Sequence, residues 1–207
     1  MKKHFSLFYL ILINYLTVFS GCKHPDRFSS ARSYTTPVII EIQPFDDISP
    51  EETKQVFERV KKVYPLVQLN DKIPLPATAW YMKRKRYRAD SLIRFLNRRT
   101  ADNHVSIGVT TKDISTSNGD IEDWGVMGLG FCPGKACIAS TFRLSKKQRS
   151  DQLFKVSIHE LGHTQGLAHC DIKYCFMRDA EGGNPTNEET GFCEKCKRKL
   201  MVKGWKL

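Results

Sequence analysis

Pro37-Val38-Ile39-Ile40-Glu41-Ile42 is apolar and rich in β-branched residues, the composition of a buried first strand. Ser49-Pro50-Glu51-Glu52 follows. It offers a capping hydroxyl, a proline suited to the first helical position and two acids in the first turn, and Val56, Val60 and Val63 then recur on one helical face. Pro65-Leu66-Val67-Gln68-Leu69 predicts a second strand, and 70–76 an irregular connection. A second helix starts at Ala89 with Leu92, Phe95 and Leu96 on one face, and His104 to Thr110 alternates as a strand. Two further strand-like pieces, 124–131 and 136–142, precede a last apolar-periodic segment that begins at Asp151. Strands interleaved with helices in this order predict a mixed α/β fold, and 37–207 is long enough for one domain with a real core.

The last helix carries the chemistry. Residues 157–170 contain His159-Glu160-x-x-His163-x-x-Gly166-x-x-His169. Four residues apart, His159 and His163 share one helical face and can reach one ion. Glu160, one position round, is placed to act as a general base beside that ion without ligating it. In an unbroken helix His169 would lie roughly 9 Å further along the axis, on another face. The chain must therefore turn back, and Gly166 is the residue that can take the positive φ of such a helix end. Three imidazoles with one open position make a catalytic rather than a structural zinc. The five fixed residues coincide by chance with a probability on the order of 10⁻⁷ per starting position. The pattern predicts a zinc hydrolase, with a zinc-binding but catalytically silent binding or regulatory protein as the alternative.

Downstream lie Cys170, then Cys175-Phe176-Met177, then Cys193-Glu194-Lys195-Cys196. Read from the residues alone, the four cysteines are either a four-thiolate zinc site, which the C-x-x-C spacing favours, or two disulfides, which export would favour. The long histidine motif, the abutting cysteine, the C-x-M and the terminal C-x-x-C together resemble the archaemetzincin family. That resemblance implies a metzincin-like single α/β domain with a mixed twisted sheet, an active-site helix and a C-terminal zinc-bound subregion. It implies two zinc ions: a catalytic one at His159, His163 and His169, and a structural one at Cys170, Cys175, Cys193 and Cys196. It also implies Met177 as the Met-turn residue beneath the catalytic site, and a peptidase acting on peptide or protein substrates. The interval between Met177 and Cys193 is slightly shorter than the family's. In metzincins an antiparallel edge strand before the motif helix pairs with extended substrate, so the resemblance makes 138–144 a peptide-docking edge. Its plain reading is a half-buried strand with Arg143 at the solvated end.

The N-terminus is of another kind. Lys2 and Lys3 precede an apolar run from Phe5 to Phe19 that is short for a membrane span and is interrupted by Ser6, Asn14 and Thr17. It ends Phe19-Ser20-Gly21-Cys22, which resembles a bacterial lipobox with Phe19 in a place more often held by Leu. The expectation is a signal peptide over 1–21, lipid on Cys22, a tether over 22–36, and export as a lipoprotein anchored to a membrane of the bacterial cell envelope. An uncleaved anchor helix and ordinary signal cleavage are the alternatives.

Cys132-Pro133-Gly134-Lys135-Ala136-Cys137 frames a turn between two strand-like runs, where export predicts a disulfide, with two free buried thiols as the alternative. The formal net charge is +11. The cations crowd into one region read as helical, from Lys83 to Arg99, and into the C-terminus, from Lys195 to Lys206. A solvated face is the ordinary reading of such runs, and an anionic membrane or glycan surface the second. No nucleic-acid module accompanies the charge, so no nucleic-acid partner is expected, and the chain is expected to act as a monomer.

Overall fold

The computed structural model describes residues 37–207. The signal, lipidation and tether expectations, with Cys22, lie outside the described residues. The described part is a mixed α/β domain. Its main sheet has the order β2-β1-β5-β9-β8, and a second sheet of four short strands lies beside it.

Strand β1 (Ile39–Pro44) pairs in parallel with β2 (Val67–Leu69) on one side and β5 (His104–Thr110) on the other. Strand β9 (Ala136–Ser140) continues the sheet in parallel, and β8 (Gly128–Gly130) closes it as an antiparallel edge. The second sheet is formed by β3 (Trp80–Tyr81), β4 (Arg86–Arg88), β6 (Ile114–Asn118) and β7 (Ile121–Val126).

Helices cover both faces of the main sheet, which is why its central strands are buried at nearly every position. On one face α1 (Pro50–Val63) and α3 (Arg149–Thr164) meet Ile40, Ile42, Ile107 and Val109 in a core that also holds Met177, Cys175, Cys193 and Cys196, with Cys170 packed against it. On the other, α2 (Ala89–Arg99) buries Leu92, Ile93 and Leu96 against Phe45 and Ile138. Gly108 lets α2 approach, since a Cβ there would lie 2.8 Å from side-chain atoms of both Leu96 and Ile138. The first helix starts as its sequence requires: Ser49 accepts from the Glu52 N–H at 3.1 Å, and Pro50 occupies the first turn. A final helix, α4 (Glu194–Met201), turns Cys196 and Leu200 inward. Among the described residues no helix is long and apolar enough to cross a membrane.

Three expectations are corrected. The piece 124–131 is not one strand: it leaves the second sheet at Val126 and joins the main sheet at Gly128. The segment 138–144 is not the edge strand. Its strand ends at Ser140, lies between β5 and β8, and gives way to a turn in which the Leu144 N–H donates to the Thr141 carbonyl. The exposed edge is Gly128–Gly130, whose two glycines carry no strand signal. The basic stretch 83–99 is not one helix either. Its first half is the β3–β4 hairpin, where Arg86 reaches Asp113 and Asp123, and Arg84 reaches Asp123 at 3.1 Å. These arginines therefore hold the second sheet together rather than forming a plain solvated face.

Candidate metal centre and cleft

Helix α3 ends in the geometry that the third histidine needs. Gly166 has φ 87°, its N–H donates to the His163 carbonyl, and the Leu167 N–H donates back to the Gly162 carbonyl at 3.0 Å. This pair of bonds is a Schellman cap, and it reverses the chain. His159, His163 and His169 are thereby brought together, with one ligand atom from each lying within 4.8 Å of the others.

The hydrogen bonds decide which nitrogens face inward. His159 Nδ1 lies 2.7 Å from the Phe176 carbonyl and His163 Nδ1 lies 2.8 Å from the Leu167 carbonyl. A carbonyl can only accept, so both Nδ1 atoms carry the proton and both Nε2 atoms present lone pairs. Those two Nε2 atoms stand 3.0 Å apart. Two acceptors facing each other at that distance suit a shared cation. Loss of hydration on burial, reinforced for His159 by the neighbouring imidazoles, lowers the ring pKa values to about 3 for His159 and about 4 for His163. Neutral imidazole is the form that ligates a metal, so the donor set fits zinc. His169 Nδ1 lies 3.1 Å from Asp179 Oδ2.

Glu160 is buried beside these rings, and burial pushes its carboxyl well above the usual range. The edge strand passes directly over it: a Cβ on Gly128 would lie 2.5 Å from Glu160 Oε1, and one on Gly130 would lie 2.8 Å from the Glu160 carbonyl oxygen. Both glycines were missed from the sequence. Their only signal is the Gly-Leu-Gly triplet ahead of the motif helix, which by itself says nothing about what lies beneath it. Met177 is fully buried with its sulfur pressed on Gly162, and its carbonyl accepts from the Cys170 N–H at 2.8 Å.

That last bond links the cleft to the cysteine cluster. Cys170, Cys175, Cys193 and Cys196 bring their sulfurs within 4.8 Å of one another. The Cys170 and Cys193 sulfurs are 3.7 Å apart, and the Cys193 N–H points at the Cys175 sulfur at 3.3 Å. Thiolates about 2.3 Å from a tetrahedral zinc sit roughly 3.8 Å from each other, whereas a disulfide needs about 2.05 Å. No disulfide joins these residues, and the cluster fits a metal ion. Burial raises the Cys175 thiol. In Cys193 burial is outweighed by hydrogen bonds from Cys196, Cys170 and Cys175, which bring its pKa down to about 7.

The disulfide expected between Cys132 and Cys137 is not formed. Cys132 is exposed, and its thiol lies 3.2 Å from the Leu167 carbonyl, while Cys137 points into the core beneath α3. Burial and the nearby Glu160 charge raise the Cys137 thiol far above its ordinary value. His104 lies 2.5 Å from Glu41 at the sheet's polar margin, away from the histidine cluster.

The sequence matches the model of Peptidase family M54 over residues 38–202. The chain belongs to peptidase family M54. It is similar to the archaemetzincin of Haloarcula marismortui, 27% identical over 176 residues that cover 78% of this chain and 99% of that protein. The archaemetzincin of Nanoarchaeum equitans is 30% identical over 151 residues, covering 72% of this chain and 83% of the relative. Among solved structures, the Archaeoglobus fulgidus archaemetzincin complexed with malonate superposes with TM-score 0.67 at 25% identity, covering 77% of this chain and 98% of that one. The Methanopyrus kandleri archaemetzincin superposes with TM-score 0.68 at 24% identity, covering 81% and 95%, and supports the fold. As a member of the M54 family the protein is a zinc metallopeptidase, a hydrolase of peptide bonds.

Proposed function

We propose that His159, His163 and His169 hold the catalytic zinc, that Glu160 is the general base, and that Cys170, Cys175, Cys193 and Cys196 hold a second, structural zinc. The observation that carries this reading is the pair of facing Nε2 lone pairs, 3.0 Å apart, with a buried carboxylic acid on the next residue of the same helix. A structural metal site has no use for that carboxylate.

Zinc bound by three imidazoles supplies a Lewis acid and a water acidified towards neutrality. The chain's own residues supply the rest. Glu160 takes the proton of the attacking water and returns it to the departing nitrogen. Its burial makes the carboxylate more basic than in solvent, which suits a proton acceptor, and a neighbouring cation's charge opposes that shift so that the group can ionise. The unpaired edge of Gly128–Gly130 offers backbone donors and acceptors to an extended peptide, and its glycines leave Glu160 room beneath. Met177 packs under the ligand-bearing turn, and the cysteine cluster fixes the residue that follows His169.

The test is cleavage of unstructured peptides by the purified full chain. Wild type is expected to cleave and to stop on chelation, while Glu160→Ala is expected to retain zinc and lose cleavage. Undiminished cleavage by that variant overturns the assignment.

We also infer that the protein is exported and lipid-anchored through Cys22, a reading supported by Phe19-Ser20-Gly21-Cys22 after a short apolar run. Metabolic labelling with a fatty acid is expected to mark the wild-type protein and not Cys22→Ser. Equal labelling of both overturns it.

A further inference from the structure

Backbone carbonyls orient two of the three metal-site imidazoles, and replacing a single side chain removes neither acceptor. His169 differs. It lies beyond the helix, its side chain is 37% exposed, and the group facing its Nδ1 is a side chain, the Asp179 carboxylate, at 3.1 Å. That carboxylate is not a loose surface acid. Its Oδ1 accepts from the Glu181 N–H at 3.0 Å, closing a turn in which Glu181 and Gly182 both take positive φ, 47° and 80°. Gly182 in turn rests on the Trp124 indole of the second sheet, so closely that a Cβ would lie 3.0 Å from the ring. The turn is thus closed from within and backed from outside, and it presents one carboxylate oxygen to the third histidine.

We propose that Asp179 is a positioning residue for His169. By occupying Nδ1 it leaves Nε2 as the ligating nitrogen, fixes the plane of the only ligand ring without a backbone acceptor, and strengthens that nitrogen as a donor. The proposal rests on the reading of the three histidines as a metal site. It goes beyond that reading by assigning the turn after Met177 a task in metal retention. A purely structural role is a poor fit, because an exposed pair of this kind adds little to folding stability.

The experiment uses the full chain loaded with cobalt(II), which reports the histidine site through its visible spectrum and the cysteine site through thiolate charge-transfer bands. Wild type, Asp179→Ala and Asp179→Asn are titrated with a chelator, and His163→Ala defines the histidine-site signal. In Asp179→Ala the histidine-site signal is expected to be lost at a chelator concentration about 10–100-fold lower than in wild type. Asp179→Asn, which keeps an acceptor oxygen without the charge, is expected to fall between them. The thiolate bands and the melting temperature of the metal-free protein are expected to be the same in all three. Equal chelator midpoints and identical visible spectra for wild type and Asp179→Ala would overturn the proposal while leaving the metal site in place. If His163→Ala shows the same spectrum and metal content as wild type, the underlying reading fails and takes the proposal with it.

Discussion

Met177 rests its sulfur against the backbone of Gly162, deep inside van der Waals distance of where a Cβ would stand, with its methyl 3.2 Å from that point. Gly162 lies between the first two clustered histidines on one helix, and Met177 lies 14 residues beyond the second. The contact fixes the turn that carries Phe176, whose carbonyl orients His159.

Gly162→Ala therefore tests packing against propensity. In a helix interior the change should stabilise by up to about 1 kcal/mol. Here the added methyl meets a fully buried methionine, so a net destabilisation of about 1–3 kcal/mol is expected. Thermal unfolding would show it as a lower Tm, and the drop caused by Gly162→Ala should be smaller when measured in a Met177→Ala background. A Tm at or above wild type in the single variant would mean that the turn yields freely.

Gly128→Ala places a methyl 2.5 Å from Glu160 Oε1. Because the neighbour is the end of a side chain, the fold should accommodate it by moving the carboxylate. Peptide cleavage is expected to fall at least tenfold, about 1.4 kcal/mol in barrier height, with zinc content unchanged. Unaltered turnover would separate the edge strand from the chemistry.

The buried ionisable groups set the pH dependence of the metal-free protein. His159 and His163, at about 3 and 4 in the fold against 6.5 when unfolded, stay neutral while the unfolded chain takes up protons. Their contribution is present above pH 6.5 and is lost as pH falls towards those folded values. Glu160 has the opposite sign: its raised carboxyl contributes stability below its ordinary value of 4.5, and that contribution is lost as pH rises through the folded pKa. Glu189, buried and raised to about 7, acts in the same sense as Glu160. Comparing variants isolates one group. On acidification towards pH 4.5, metal-free Glu160→Gln should lose stability to denaturant more steeply than wild type. Parallel curves would mean that Glu160 is ionised in the metal-free fold.

Cys193→Ser addresses the link between the two clusters. Cys170 follows His169 directly, and its N–H is bonded to Met177, so loosening the sulfur cluster should loosen the third histidine. A lower Tm and loss of peptidase activity are expected together, and a variant unchanged in both would show the clusters to be independent.

Much of this was legible in the sequence because the decisive signals are local. The histidine spacing, the Gly166 cap and the Ser49–Pro50 helix start depend on neighbouring residues, and the structure forms them accordingly. The edge strand was misplaced because Gly128 and Gly130 lack side chains, and a glycine chosen to clear another residue looks like a loop. The second sheet was missed because its arginines form ion pairs with Asp113 and Asp123, partners 27 and 37 residues from Arg86 along the chain. Cys132 and Cys137 flank a turn, as a cross-turn bridge would require, but Cys137 faces the core and Cys132 the exposed loop. Strand register, which the spacing of two residues does not reveal, decides such a pair.

Zinc per chain in the purified full-length protein, measured by elemental analysis, tests the central claim most directly. Two ions are expected in wild type, with one remaining in His163→Ala. One or none in wild type would contradict the account of a catalytic and a structural site side by side.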